Sequence, residues 1–260
     1  MRCGEAGLKM NAIFEIRPVV AAAGLGFEAR IARGPGVKVV YGQSREEYRE
    51  NLHRYARSGV SGFISIGVAG GLSPALRPGD VVVASSVITA SHTSQTCRDW
   101  SRLILKAVPG AHHTAVFASD TTIASVLEKR ALWNATGAAA VDMESGLTAE
   151  VAALYGVPFA VLRVVLDPAH RAIPPSALAG ARHDGETDPA AVLKALMKRP
   201  EDLLALLRLA GDTRKATRAL LRSRQALGPF LGLFAQQTAE LAVNVSQRSH
   251  TLATAAGPAS

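Results

Sequence analysis

Cysteine is scarce. Cys3 and Cys97 are the only two and neither belongs to a Cys-x-x-Cys pair, so a disulfide framework and a thiolate metal site are both excluded. Aromatic residues make up 5% of the chain, too few for the base-stacking platforms of a single-strand nucleic-acid binder. Long apolar runs are missing too. Val157–Leu166 is interrupted by Arg163 and falls short of the roughly 18 residues that a membrane span needs. The first residues carry Arg2, Glu5 and Lys9 where a signal peptide would be apolar. No lysine of the Walker type follows a glycine-rich loop, and no Gly-x-Ser-x-Gly elbow surrounds a serine. His92, His112 and His113 lack the i, i+4 spacing and flanking carboxylates of a zinc site, so no metal is expected. What remains is a 260-residue chain with 48% hydrophobic and 19% charged residues. That is enough to bury a sizeable core as one domain, or one domain with an appendage. A cytoplasmic protein of a reducing compartment is the expectation.

The charge is unevenly spread. Residues 1–185 hold 19 basic and 15 acidic side chains, and residues 186–260 hold 10 and 6. Each part therefore carries +4, the second in well under half the length. Such a surplus suits nucleic acid, an acidic membrane surface or an anionic substrate; with so few aromatics, nucleic acid is set aside.

Between about residues 17 and 187 short apolar runs alternate with helical patterns. Strands are expected at Val19–Ala23, Val37–Tyr41, Gly62–Ile66, Val81–Ala84, Thr114–Phe117, Ala138–Asp142 and Phe159–Leu166. Several are apolar without alternation, as in strands covered on both faces. Ser44-x-x-Glu47 is a capping box that opens a helix over Arg45–Arg57, with Gly59 past its end. Helices are also expected over Thr122–Thr136 and Ser145–Tyr155, closed by Gly137 and Gly156. This is an α/β fold with a mixed, mostly parallel central sheet flanked by helices. From residue 188 strand signals vanish and leucines recur at helical spacing. Two or three helices are expected over 188–247, punctuated by Pro200, Gly211 and Gly228-Pro229. Residues 1–16 form an N-terminal extension and 248–260 a disordered tail.

Four motifs carry chemistry. Gly24-Leu-Gly26-Phe-Glu28-Ala29 follows a strand and fits a dinucleotide fingerprint. The next strand, however, ends in Gly42-Gln43 and not in a ribose-binding acid. Glu28 alone reads equally as a solvated acid at a helix start. Gly67-Val68-Ala69-Gly70-Gly71 follows the strand that ends near Ser65, where small residues let backbone N–H groups face a ligand or simply make a tight turn. In Asp142-Met143-Glu144-Ser145 two carboxylates share a face if the chain is extended and diverge if a helix has begun at Glu144. Arg163 and Asp167 share one strand face but lie about 13 Å apart. Arg163 thus needs a carboxylate from elsewhere in the chain.

Taken together, Gly67-x-Ala-Gly-Gly with Gly79-Asp80-Val-Val, Ser119-Asp120-Thr-Thr-Ile123, Asp142-Met-Glu-Ser145 and Arg163-x-x-x-Asp167 resemble the nucleoside phosphorylase/nucleosidase superfamily. The stretch Gly24-Leu-x-Phe-Glu-Ala-Arg-Ile-Ala32 is most similar to its hopanoid-associated phosphorylases. The resemblance implies a catalytic domain over residues 17–187 that breaks the bond between a purine and ribose, releasing adenine from adenosylhopane. A soluble nucleosidase for methylthioadenosine or adenosylhomocysteine is one alternative, and a non-catalytic nucleotide-binding module another. It also implies that Asp167 protonates the departing base, that Glu144 binds the ribose hydroxyls with Met143 beside the sugar, and that Glu28 activates a water. Thr122 and Ile123 would line the base pocket, with Gly70 and Val68 near the ribose. No cofactor is implied, and inorganic phosphate would be a co-substrate. Val68 stands where nucleosidases carry Ser or Thr, and Ser65 where hexameric phosphorylases carry a phosphate-binding Arg, so water and phosphate both stay open. Arg30, Arg33 and His92 are candidates for phosphate, although both arginines read equally as solvated helix residues. A homodimer is implied, acting on a small nucleoside that bears a lipid. The basic helices of 188–247 would either pack on the core or rest on a membrane.

Overall fold

The computed structural model describes residues 17–234 apart from 43, 181, 183 and 184. The expected terminal extensions and residues 235–247 of the helical segment lie outside the described residues. The strands are β1 (Val19–Ala22), β2 (Val37–Val40), β3 (Gly62–Gly71), β4 (Val81–Ile88), β5 (Thr93–Gln95), β6 (His112–Ala118), β7 (Ala140–Asp142) and β8 (Phe159–Asp167). Pairing runs β2-β1-β3-β7-β6-β4-β5, and β8 joins β3 to β4. The five strands β3, β7, β6, β4 and β8 therefore close on themselves, and β2-β1 and β5 extend from this ring. Pairings are parallel except β3 with β7, β4 with β5 and β4 with β8, which makes the mixed, mostly parallel sheet expected.

Helices α1 (Gly26–Ala32), α2 (Arg45–Ser58), α3 (Arg98–Ala107), α4 (Val126–Thr136), α5 (Ser145–Leu154), α6 (Pro175–Leu178), α7 (Pro189–Lys198) and α8 (Leu203–Leu227) flank the sheet. Two cores result. Tyr48, Leu52 and Ala56 of α2 join Leu147, Val151 and Ala152 of α5 in one. Trp100 and Ile104 of α3 join Ala216, Ala219, Leu220 and Leu227 of α8 in the other. Apolar strands between two such layers are the physical reason that β1 and β8 show no polar alternation.

The Ser44 capping box forms as expected: the Glu47 N–H donates to Ser44 Oγ at 3.3 Å and the Ser44 N–H to Glu47 Oε2 at 3.1 Å. Three expectations need correction. Helix α4 begins at Val126 and not at Thr122, because Ser125 and Glu128 make a second capping box. That leaves residues 121–124 as loop. Gly211 does not punctuate: α8 runs unbroken over Leu203–Leu227, since its buried face outweighs the roughly 1 kcal/mol penalty of one glycine. Helix α3 and the edge strand β5 have no counterpart in the sequence reading. The helix does carry Trp100, Leu103, Ile104 and Ala107 at helical spacing, a signal that the sequence reading passed over. No helix among the described residues is long and apolar enough to cross a membrane.

Candidate active site

Parallel pairing carries the ends of β3 and β8 to the same edge. A bulge between Ala69 and Gly70 shifts the register so that Gly70 faces Asp167, the last residue of β8. Bulges of this kind re-aim side chains beside functional clefts. Antiparallel pairing sets Val141 of β7 against the same Gly70. Helix α1 then brings in Glu28, and the N-terminus of α5 brings in Glu144. A cavity of about 220 Å³ opens among them, lined by Glu28, Val68, Gly70, Thr122, Ile123, Met143, Glu144 and Asp167. These are all the residues that the sequence assigned to catalysis, ribose and base.

Glu28 is 2% exposed, so it is no solvated helix-start acid. Its Oε2 accepts from the N–H groups of Gly24 and Leu25 at 2.9 Å each, and its Oε1 from that of Val68 at 2.7 Å. The N–H groups that a dinucleotide phosphate would use thus hold a carboxylate of the protein itself, and the fingerprint reading of Gly24–Ala29 falls. Glycine is needed here for close approach. A side chain at Gly67 would collide with the Glu28 carboxyl, and one at Gly24 with that of Glu144.

As in the extended alternative, Asp142 and Glu144 turn to one side, both onto Arg163. Arg163, fully buried in β8, donates Nε to Asp142 Oδ2 at 2.9 Å and Nη2 to Glu144 Oε2 at 3.1 Å. It also reaches Ser65 Oγ and the Val68 carbonyl. Asp142 turns back to accept from the N–H groups of Glu144 and Ser145 at 3.0 and 2.8 Å, which caps α5, while Glu144 stays at the cavity wall. Arg163 is therefore the cation that makes a cluster of carboxylates tolerable.

Three of these acids hold their protons more firmly than usual. Burial raises Glu28 against the opposing charge of Arg163. Burial likewise pushes Glu144 up to about 7, again with Arg163 opposing. Asp167 is raised by burial with Lys129 opposing. A carboxyl able to keep a proton near neutral pH is what general acid catalysis asks for.

Lys129 was missed by the sequence reading. It is fully buried on α4 and pairs with Asp167. The one hint is its place on the same helix face as Leu132 and Trp133, which pack inward. The three phosphate candidates do not reach the cavity. Arg30 lies on α1 with its side chain 63% exposed, 3.5 Å from Glu186, and Arg33 is exposed at the end of α1. His92 lines a neighbouring hollow beside Thr89 and Ser91. Among the described residues, no Arg, Lys or His lines the cavity itself.

A family model described as the phosphorylase superfamily matches residues 17–207, well over half of the chain. The chain belongs to the phosphorylase superfamily. It is accordingly an enzyme, a nucleoside phosphorylase or N-ribosyl hydrolase, of a superfamily that works without a resident cofactor. Its fold is similar to that of the 5′-methylthioadenosine/S-adenosylhomocysteine nucleosidase of Helicobacter pylori, with TM-score 0.57 and 16% identity over 82% of this chain and 96% of that one. The S-adenosylhomocysteine nucleosidase of Streptococcus pyogenes, solved with 5-methylthiotubericidin, gives TM-score 0.59 and 15% identity over 85% and 98%. The futalosine hydrolase of H. pylori gives 0.51 and 18% over 58% and 88%. At such identities the likeness is one of fold. No curated protein sequence matches the chain.

Proposed function

We propose that this enzyme of the phosphorylase superfamily breaks the purine–ribose bond of adenosylhopane, an adenosine whose 5′ carbon carries a polycyclic lipid, and releases adenine with water as nucleophile. The carrying observation is the convergence of three carboxyls on one cavity, Asp167 beside Gly70 together with Glu144 and Glu28. Asp167 donates a proton to N7 as the bond to ribose lengthens. Glu144 holds the ribose hydroxyls and its attraction grows as the sugar becomes cationic. Glu28, in the ionised form that its three N–H donors and Arg163 favour, takes a proton from the incoming water. Water is favoured over phosphate because, among the described residues, no Arg, Lys or His lines this cavity, and Arg45 and Arg182 line an adjoining chamber instead. A dianion would find no cation there to pair with. The lipid is supported by the similarity over Gly24–Ala32 and by room. Past Gly24, Met143 and Glu144 the cavity continues into that chamber of about 490 Å³, bounded by Tyr48, Leu147 and Gly185 and also by the charged Arg45, Asp120 and Arg182.

Adenosylhopane, methylthioadenosine and adenosylhomocysteine, each incubated with and without phosphate, test this reading by mass analysis of base and sugar. Adenine plus free ribosyl-hopane in both conditions is expected. A ribose 1-phosphate product refutes water, and turnover confined to the two thio-nucleosides favours the soluble nucleosidase named by the structural neighbours.

A membrane-borne substrate calls for a docking face. Leu193, Met197, Leu203, Leu204 and Leu207 of α7 and α8 are 48–72% exposed, among Lys194, Lys198, Arg199 and Arg208, which are also exposed. Apolar residues rimmed by cations suit an anionic bilayer. The wild type is expected to float with phosphatidylglycerol vesicles and Leu204→Glu/Leu207→Glu to stay behind. Equal flotation removes the membrane role. Point variants are required because α8 belongs to the core and its removal would unfold the protein.

A further inference from the structure

Lys129 is a fully buried cation that the proposed reaction does not yet use. Its ammonium has three N–H donors and meets three acceptors: Asp167 Oδ2, the Arg171 carbonyl at 2.7 Å and the Pro168 carbonyl at 3.2 Å. Three donors with three acceptors describe a nest built for the charged form. Among the described residues no other side chain hydrogen-bonds the Asp167 carboxyl. Desolvating an ammonium costs several kcal/mol. A tie between α4 and the loop after β8 made only for stability would be cheaper with apolar groups.

Resting on the nucleosidase reading, we propose that Lys129 is the positioning residue of the general acid: it anchors Oδ2 of Asp167 and stabilises the carboxylate formed when the proton leaves for the purine. As the C1′–N9 bond breaks, its electron pair departs with the base. The Asp167 O–H bond breaks and its proton forms the N7–H bond, so the O–H electron pair stays on Asp167 as a carboxylate. Lys129 keeps its three protons, and solvent restores that of Asp167 before the next turnover. Burial makes Asp167 retain its proton, and the ammonium makes it release that proton readily. The attraction is greater in the transition state, where carboxylate charge has grown, than with substrate merely bound. It therefore acts on kcat more than on KM.

Lys129→Met keeps the stem and drops the charge. With 5′-substituted adenosines its kcat is expected to fall about 10²-fold at little change in KM. The alkaline limb of its pH profile should move to higher pH, since the cation that favours the carboxylate is gone. Lys129→Arg should return the limb toward the wild-type position. With 4-nitrophenyl riboside, whose leaving group departs without a proton, wild type and Lys129→Met should turn over alike. An unmoved limb, or an equal loss on the aryl riboside, overturns the role. Should Lys129→Met fail to fold, Lys129→Met/Asp167→Asn is compared with Asp167→Asn. Equal residual turnover supports action through Asp167, and a further loss overturns it. A wild type that frees adenine from none of these nucleosides refutes the nucleosidase reading. A wild type that does so, with Lys129→Met unchanged, refutes only the role of Lys129.

Discussion

Asp167→Asn is expected to lower kcat/KM roughly 10²–10⁴-fold, the range that a general acid supplies, while the protein stays folded. Asn matches the carboxyl in shape, and its amide oxygen still accepts from Lys129, so the buried ammonium keeps a partner. What is lost is the transferable proton. The sign of the alkaline pH dependence follows from the same group, while Glu28, which must be ionised to act as base, sets the acidic limb. The protonated carboxyl of Asp167 is the active form, so its contribution is present below its pKa and declines as pH rises through it. Burial raises that pKa against the pull of Lys129, so the decline comes above the usual carboxylate range near 4. Asp167→Asn should show a low rate without this limb. Adenine release across pH, beside a melting curve by circular dichroism, reads both effects. Turnover equal to wild type would remove Asp167 from the chemistry.

The largest effect on stability is expected at Arg163. Arg163→Met deletes the guanidinium that Asp142 and Glu144 share and that lies near Glu28. Removing one side of a buried ion pair costs about 3–5 kcal/mol, because the other side is left charged without a partner. A domain of this size has about 5–15 kcal/mol in all, so the variant sits near the edge of folding. Part of the loss should be regained at acidic pH. Glu144 is already pushed up to about 7, and protonating the stranded carboxyls relieves their repulsion. Urea unfolding at pH 7 and pH 5 measures both quantities. A loss below about 1 kcal/mol at pH 7 would mean that Arg163 does not hold the cluster together.

The two results bear on different properties of one constellation. Arg163 joins β8 to β7 and to the start of α5, so it sets where Glu144 stands. Lys129 joins α4 to the end of β8, so it sets where Asp167 stands. Lys129 thus stands behind Asp167, while Arg163 serves Asp142 and Glu144 together and lies near Glu28. Catalysis needs the carboxyls aimed inward with protons to give or take, and the cations behind them limit how far burial can shift those protons.

Much of the architecture is legible in local sequence. Apolar runs without alternation mark β1 and β8, the Ser44–Glu47 box marks α2, and the alternation of types marks an α/β fold. The motif residues Glu28, Glu144 and Asp167 were within reach through the resemblance of their motifs to the superfamily, whereas position alone left Glu28 equally a solvated acid at a helix start. Helix α3 and the true start of α4 carried local signals that the sequence reading passed over. Trp100, Leu103, Ile104 and Ala107 recur at i, i+3, i+4 and i+7, and Ser125-x-x-Glu128 is the same capping box that marks α2. Arg30 and Arg33 looked like anion binders in a basic stretch, but only the direction of α1 decides that they point to solvent.

By itself the sequence determined the layered fold and the need of Arg163 for a partner, because these rest on periodicity, spacing and the cost of a buried charge. The candidate carboxylates came from the resemblance of the motifs. Tertiary structure alone decided who meets whom. Lys129 reaches Asp167 across 38 positions, Arg163 reaches Asp142 across 21, and the Val68 N–H reaches Glu28 across 40. Such pairs depend on the register of strands and on one bulge at Gly70. That register is set by the packing of both cores together and not by any short stretch of chain.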